Sequence, residues 1–183
     1  MSRIRKIVIL VSLVNLFIFQ SVNVLADNQI ASDSFTHEEI VDSLEDDPKD
    51  MTLVEELRKD LDETTYIEIR IYEKENSGLT KAGYKTKLGT YTYRVKDKKT
   101  GTTLIKYVLT GKFRYNGKTC SCTEALGKTT HLVKNRYSVQ NDSAVVSGDT
   151  AIGYFYCTNI KTKKKFGGTF KIRISKNGTI FYP

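Results

Sequence analysis

Three cysteines, two histidines and a scattering of acids are the residues of this 183-residue chain with the means to do chemistry. Cys120 and Cys122 stand one residue apart in the stretch RYNGKTCSC, and Cys157 is the only other cysteine. Structural zinc takes four ligands, usually with C-x2-4-C spacing, and neither a fourth ligand nor that spacing is present. His37 opens a helix-like segment and His131 a strand-like one, so the two histidines form no pair for metal or acid–base work. A Cys–His nucleophile built on His131 is the weakest of the readings. The chain has no G-x-S-x-G elbow. Gly78 to Thr86 nearly spells a phosphate-binding loop, but Tyr84 stands between Gly83 and Lys85, and no parallel βα context surrounds it; the stretch reads as a turn. In the C-terminal part Glu68, Glu73, Glu75, Asp97, Glu124, Asp142 and Asp149 mostly flank lysines or turns, so no carboxylate pair for glycoside chemistry is assignable. The expectation is a protein without catalytic residues, metal or cofactor.

Charge is the stronger signal. The formal net charge is +8, very unevenly spread. Residues 27–63 hold 14 acids against Lys49, Arg58 and Lys59, whereas residues 64–183 hold 23 bases against 7 acids. The densest cationic point is Lys161-Thr162-Lys163-Lys164-Lys165, with Lys96, Lys98 and Lys99 forming a second. These seven lysines are the candidate anion-binding residues. All 11 tyrosines fall between Tyr66 and Tyr182, and tryptophan is absent.

The N-terminus suggests which anions are within reach. MSRIRK, then the apolar run Ile7–Phe19, then SVNVLA before Asp27 has the charged, apolar and small-residue regions of a secretory signal peptide, cleaved after Ala26. The 13-residue apolar run is shorter than the roughly 20 residues a membrane-spanning helix needs. The expected localisation is extracellular. Outside a cell the available polyanions are cell-wall polymers, glycans and membrane surfaces, so nucleic acid is not an expected partner.

The elements that must position these residues fall into two kinds. In the acidic stretch, Thr36 and Glu39 make a capping box, with Phe35 and Ile40 as its hydrophobic staple, and Pro48 closes the segment. A second helix is expected from Thr52, with Glu55 three residues on and Leu53, Val54, Leu57 and Leu61 along one face. From Thr65 the apolar period becomes two: Ile67, Ile69 and Ile71 alternate with polar residues. Further strands are expected at Tyr91–Val95, Leu104–Tyr115, His131–Val139, Ala151–Thr158 and Gly168–Ser175, separated by turn signals. The fold expected is mainly β: an antiparallel β-sandwich or barrel-like domain over residues 64–183, preceded by two short acidic α-helices in residues 27–63, after a signal peptide at 1–26.

Asn116-Gly117 is the best two-residue hairpin signal in the chain. A two-residue loop there pairs Tyr115 with Lys118, Phe113 with Cys120 and Gly111 with Cys122, placing both cysteines on the face of Phe113 and Tyr115. In an oxidising compartment a disulfide from Cys157 to one of them is expected; Cys122 is favoured because it lies farther from the turn, and Cys120 is the alternative. Such a bridge would contribute about 3–4 kcal/mol.

YNGKTCSCTEA, SGDTAIGYF, the basic hairpin KTKKKFGG and the terminal ISKNGTIF together resemble a group of small secreted domains of Gram-positive bacteria. These domains carry a YNG turn before a cysteine-bearing strand, an SG-N/D-TA turn and a closing N/D-G. The resemblance covers roughly residues 90–183 and implies a β fold and an exterior location, not a reaction. That group's later cysteine falls in the last long strand, where this chain has Ser175. The expected function is a secreted, non-catalytic binding module for an anionic envelope polymer or surface, its basic domain masked by the acidic extension. The alternative is a secreted bacteriocin- or toxin-like effector with an acidic pro-region.

Overall fold

The computed structural model describes residues 35–45, 48, 50–80 and 82–182. The signal-peptide reading of residues 1–26 and the first part of the acidic stretch lie outside the described residues.

Among the described residues nine strands follow one helix: α1 (His37–Glu45), β1 (Thr52–Asp60), β2 (Thr65–Asn76), β3 (Lys85–Asp97), β4 (Thr103–Tyr115), β5 (Cys120–Leu132), β6 (Tyr137–Ser147), β7 (Thr150–Asn159), β8 (Lys165–Ile174) and β9 (Ile180–Phe181). They form two antiparallel sheets in simple sequence order, β1 to β5 in sheet A and β6 to β9 in sheet B. Neither sheet closes on itself. Each chain reversal is a local hairpin, except that β5 passes to β6 in the other sheet.

The alternation of apolar residues decides which face goes inward. Ile71, Tyr91, Tyr93, Val95, Ile105, Tyr107, Leu109 and Phe113 of sheet A share one buried cluster with Ala151, Phe155, Ile172, Ile174 and Ile180 of sheet B. Aromatic rings bridge the two: Tyr91 stacks on Phe170 at 4.9 Å and Tyr107 on Phe155 at 5.0 Å between centroids. Such pairs add about 0.5–1.5 kcal/mol each beyond the burial of their area. The Tyr107 hydroxyl is wedged between Gly127 of β5 and Gly153 of β7, and donates to the Ser143 carbonyl at 3.2 Å. A methyl group at Gly127 would stand 2.5 Å from that hydroxyl, so a side chain is excluded at this position.

The outer face of sheet A carries α1. Its start is the capping box the sequence predicts: the Thr36 amide donates to Glu39 Oε2 at 2.8 Å, and the Glu39 amide to Thr36 Oγ1 at 3.2 Å. Phe35 and Ile40, the staple, are buried against Leu88, with Met51 and Leu126 packed beside them. A nine-residue helix has little stability alone and is held by this apolar contact. Ser43 and Thr90 each hydrogen-bond to Thr110, at 2.9 and 3.0 Å.

The second predicted helix is absent. Thr52–Asp60 is instead the edge strand β1, paired with β2 from Asp60↔Tyr66 back to Thr52↔Glu73 around a bulge at Val54. Cross-strand charge outweighs local helix grammar here. Arg70 Nε meets Glu56 at 3.1 Å, and Arg58 reaches Glu68 at 3.5 Å, pairs that a helix would pull apart. Residues 34–183 make one compact unit that includes α1 and β1. The predicted strand at His131–Val139 is also corrected: Val133–Arg136 is the turn between β5 and β6, closed by the Arg136 amide on the Val133 carbonyl at 3.0 Å.

Candidate functional site

Hairpin order alone gathers the predicted lysines. Because every strand reverses, the turns β1–β2, β3–β4, β5–β6 and β7–β8 fall at one end of the unit and the remaining turns at the other. At the first end, segments 61–64, 98–102, 133–136 and 160–164 carry seven bases (Lys98, Lys99, Lys134, Arg136, Lys161, Lys163, Lys164) against Asp62 and Glu63. At the other end, the described residues of segments 77–84, 116–119, 148–149 and 175–179 carry Lys118 and Lys176 against Asp149. The two clusters read from the sequence thus share an end, joined by Lys134 and Arg136. Nothing in the local sequence around those two residues signals that neighbourhood; only the crossing from sheet A to sheet B brings them there.

Asx turns shape three of the four tips, the β1–β2 tip closing on Asp62 Oδ1, which accepts from the amides of Thr64 and Thr65 at 2.9 and 2.8 Å. Asn159 Oδ1 accepts from the amides of Lys161 and Thr162, both at 3.0 Å, and Asp97 Oδ1 accepts from those of Lys99 and Thr100, also at 3.0 Å. Hydrogen bonding to these amides holds the Asp97 carboxyl below its ordinary range. Lys163 takes φ 60°, a left-handed conformation uncommon for a side chain of its size, which tightens the β7–β8 tip. Between the tips lies an open cleft of about 860 Å³, lined on its polar side by Asp62, Glu63, Arg136, Lys161 and Lys164.

The candidate lysines divide by partner. Lys96 is committed to the fold: it reaches Glu68 Oε2 at 3.3 Å. Lys98 pairs with Asp60 at 3.0 Å, and Lys164 Nζ donates to the Leu61 carbonyl at 2.8 Å. Lys99, Lys161, Lys163 and Lys165 are exposed and make no ion pair among the described residues, as is true of Lys134. The surface available to an anion is therefore this second group, with Arg136 at its margin, 3.9 Å from Asp97. Within the described part of the acidic stretch, Asp60, Asp62 and Glu63 reach this end. Helix α1 lies over Leu88 and Leu126 instead, away from the lysine tips.

No family model, curated protein or solved structure matches the chain.

The disulfide prediction is corrected, since Cys120, Cys122 and Cys157 are all free. The Asn116-Gly117 hairpin has a four-residue loop, with Tyr115 opposite Cys120 and Phe113 opposite Cys122, so both cysteines do face the core. However, the Cys122 amide donates to Gly148 O at 2.9 Å, and Cys120 Sγ lies 3.4 Å from Ile174 O; both positions adjoin the start of β7. Cys157 is near the end of β7, six residues beyond Ala151, which strand rise converts to roughly 20 Å. Disulfides join Cα atoms only about 4.4–6.8 Å apart. Burial pushes the Cys122 thiol up to about 12 and that of Cys157 to about 11, so both stay protonated and poorly nucleophilic at neutral pH.

Proposed function

We propose that this chain is a secreted, non-catalytic binding module whose lysine-bearing end engages an anionic cell-wall polymer, glycan or membrane surface. The observation that supports it is the gathering of five exposed lysines without ionic partners among the described residues (Lys99, Lys134, Lys161, Lys163 and Lys165) around one end of a two-sheet body, which we read as an open β-sandwich. Like charges held this close by hairpin geometry raise each other's energy, and a polyanion laid across the tips relieves that repulsion. Asp60, Asp62 and Glu63 offset part of the charge, so among the described residues masking by the acidic stretch falls to its last four. The pro-region alternative is less favoured, because removal of residues up to 63 would strip β1 from β2 along its whole length.

The test is retention on purified anionic wall polymer across a salt gradient. Lys161→Glu with Lys163→Glu should elute at markedly lower salt. Lys118→Glu with Lys176→Glu, at the opposite end, should elute close to the parent. Asp62→Asn with Glu63→Gln should elute later than the parent. Equal losses from both ends would reduce the interaction to net charge and sink the reading.

A further inference from the structure

Strand β1 ends sheet A, and among the described residues its outer edge has no strand beside it. All nine of its residues are exposed. Leu53, Val54 and Leu57 show 47, 53 and 50 % of their surface to solvent. An open edge of that length is a template for another strand unless charge, proline or a bulge blunts it. The bulge at Val54 does so at one end only, since Glu55 to Asp60 runs in unbroken register along β2.

The charges in that regular run are ordered Glu55-Glu56-Leu57-Arg58-Lys59, two acids and two bases placed symmetrically about a leucine. Laid antiparallel on a second copy with the twofold axis at Leu57, Glu55 faces Lys59, Glu56 faces Arg58 and Leu57 faces itself. Each ionic pair then occurs twice. Moving the axis to Glu56 or to Arg58 puts like charges directly opposite one another, which penalises the slipped registers. We propose that β1 is a homodimer edge, pairing antiparallel with β1 of a second copy about an axis at Leu57.

The side chains are disposed for this. Glu55 and Lys59 make no ion pair among the described residues and so are available to a partner. Glu56 and Arg58 already touch at 2.7 Å, and Arg70 and Glu68 hold them in place, so the cross-subunit pairs would join an existing network. Glu55, Leu57 and Lys59 lie opposite Ile71, Ile69 and Ile67 in register. Pairing would let the two leucines shield each other beside that isoleucine row. The joined sheet would have ten strands, and the twofold axis would point the two lysine-bearing ends in opposite directions, a geometry suited to bridging two polymer chains.

Sedimentation equilibrium on the purified chain tests it. The parent should dimerise, and Glu55→Lys or Lys59→Glu alone should raise the dimer dissociation constant about tenfold, since each introduces two like-charge contacts. The double variant should recover parental affinity. Mixing the two single variants should give a heterodimer, because each then supplies what the other lacks. Both positions are exposed, so far-ultraviolet spectra and thermal midpoints should hold and would report a folding failure if one occurred. Leu57→Cys gives an independent readout: facing residues in antiparallel strands have Cα atoms about 4.5–5.5 Å apart, within disulfide range, so mild oxidation should link two chains. A parent that stays monomeric at its highest soluble concentration overturns the proposal, as does a dimer that none of these substitutions disturbs.

Discussion

Arg94 donates through Nη1 to Glu68 Oε1 at 3.0 Å across the β2–β3 pair, with the carboxylate wholly removed from solvent. Lys96, Arg70 and Arg58 reach the same carboxylate at 3.3, 3.3 and 3.5 Å. One acid thus organises four bases drawn from three strands, and burial lowers the pKa of the Arg94 guanidinium.

Removing that acid should be costly. Glu68→Gln leaves a buried guanidinium facing a neutral amide, and breaking a buried pair from one side costs about 3–5 kcal/mol. Arg58→Gln, at the half-exposed margin of the same cluster, should cost less than about 1 kcal/mol. Urea denaturation of both variants checks the contrast, and equal losses would mean that burial does not set the energy of the cluster.

The thiols should count as three and react unequally. Without reductant, the unfolded chain should take three maleimide labels. In the native state Cys120, which is partly exposed, should label well ahead of Cys122 and Cys157. A mass two hydrogens short of the three-thiol form would restore a disulfide and contradict the strand register.

Alkaline pH should destabilise the fold earlier than acid–base composition suggests. The Cys122 and Cys157 thiols rise to about 12 and about 11 in the folded chain, against about 8.5 when unfolded. The folded state therefore holds protons that the unfolded state has lost. Their contribution is complete below about pH 8.5 and declines as pH climbs toward the folded values. Burial likewise raises Tyr91, Tyr93, Tyr107 and Tyr182, which add to the loss above about pH 10. Thermal midpoints from neutral pH to about 10.5 should fall, with the tyrosinate absorbance of these four buried rings appearing together with unfolding. A midpoint that stays level across that range would refute the linkage.

What the sequence made legible is what local chemistry decides. Thr36 and Glu39 are three residues apart, and their reciprocal hydrogen bonds form within one turn, so the cap of α1 could be read directly. The period-two run at Ile67, Ile69 and Ile71 likewise located β2. Thr52–Asp60 failed because nine residues with leucine and valine at 53, 54 and 57 fit either period, and the deciding partners, Glu68 and Arg70, belong to another strand. Each lysine cluster is legible by itself. Their shared end, and the membership of Lys134 and Arg136, come from hairpin topology. Glu68 carries no local mark of its role, because four bases converge on it only after β1, β2 and β3 align.

The wedge of Tyr107 between two glycines has a mechanical meaning. A hydroxyl seated in two notches works as a dowel, and sliding one layer over the other by a residue would drive a side chain into it. The layers are thus pinned in translation, and the spacing between the hairpin tips at Lys99 and Lys163 becomes a built-in gauge, set by the core beneath them.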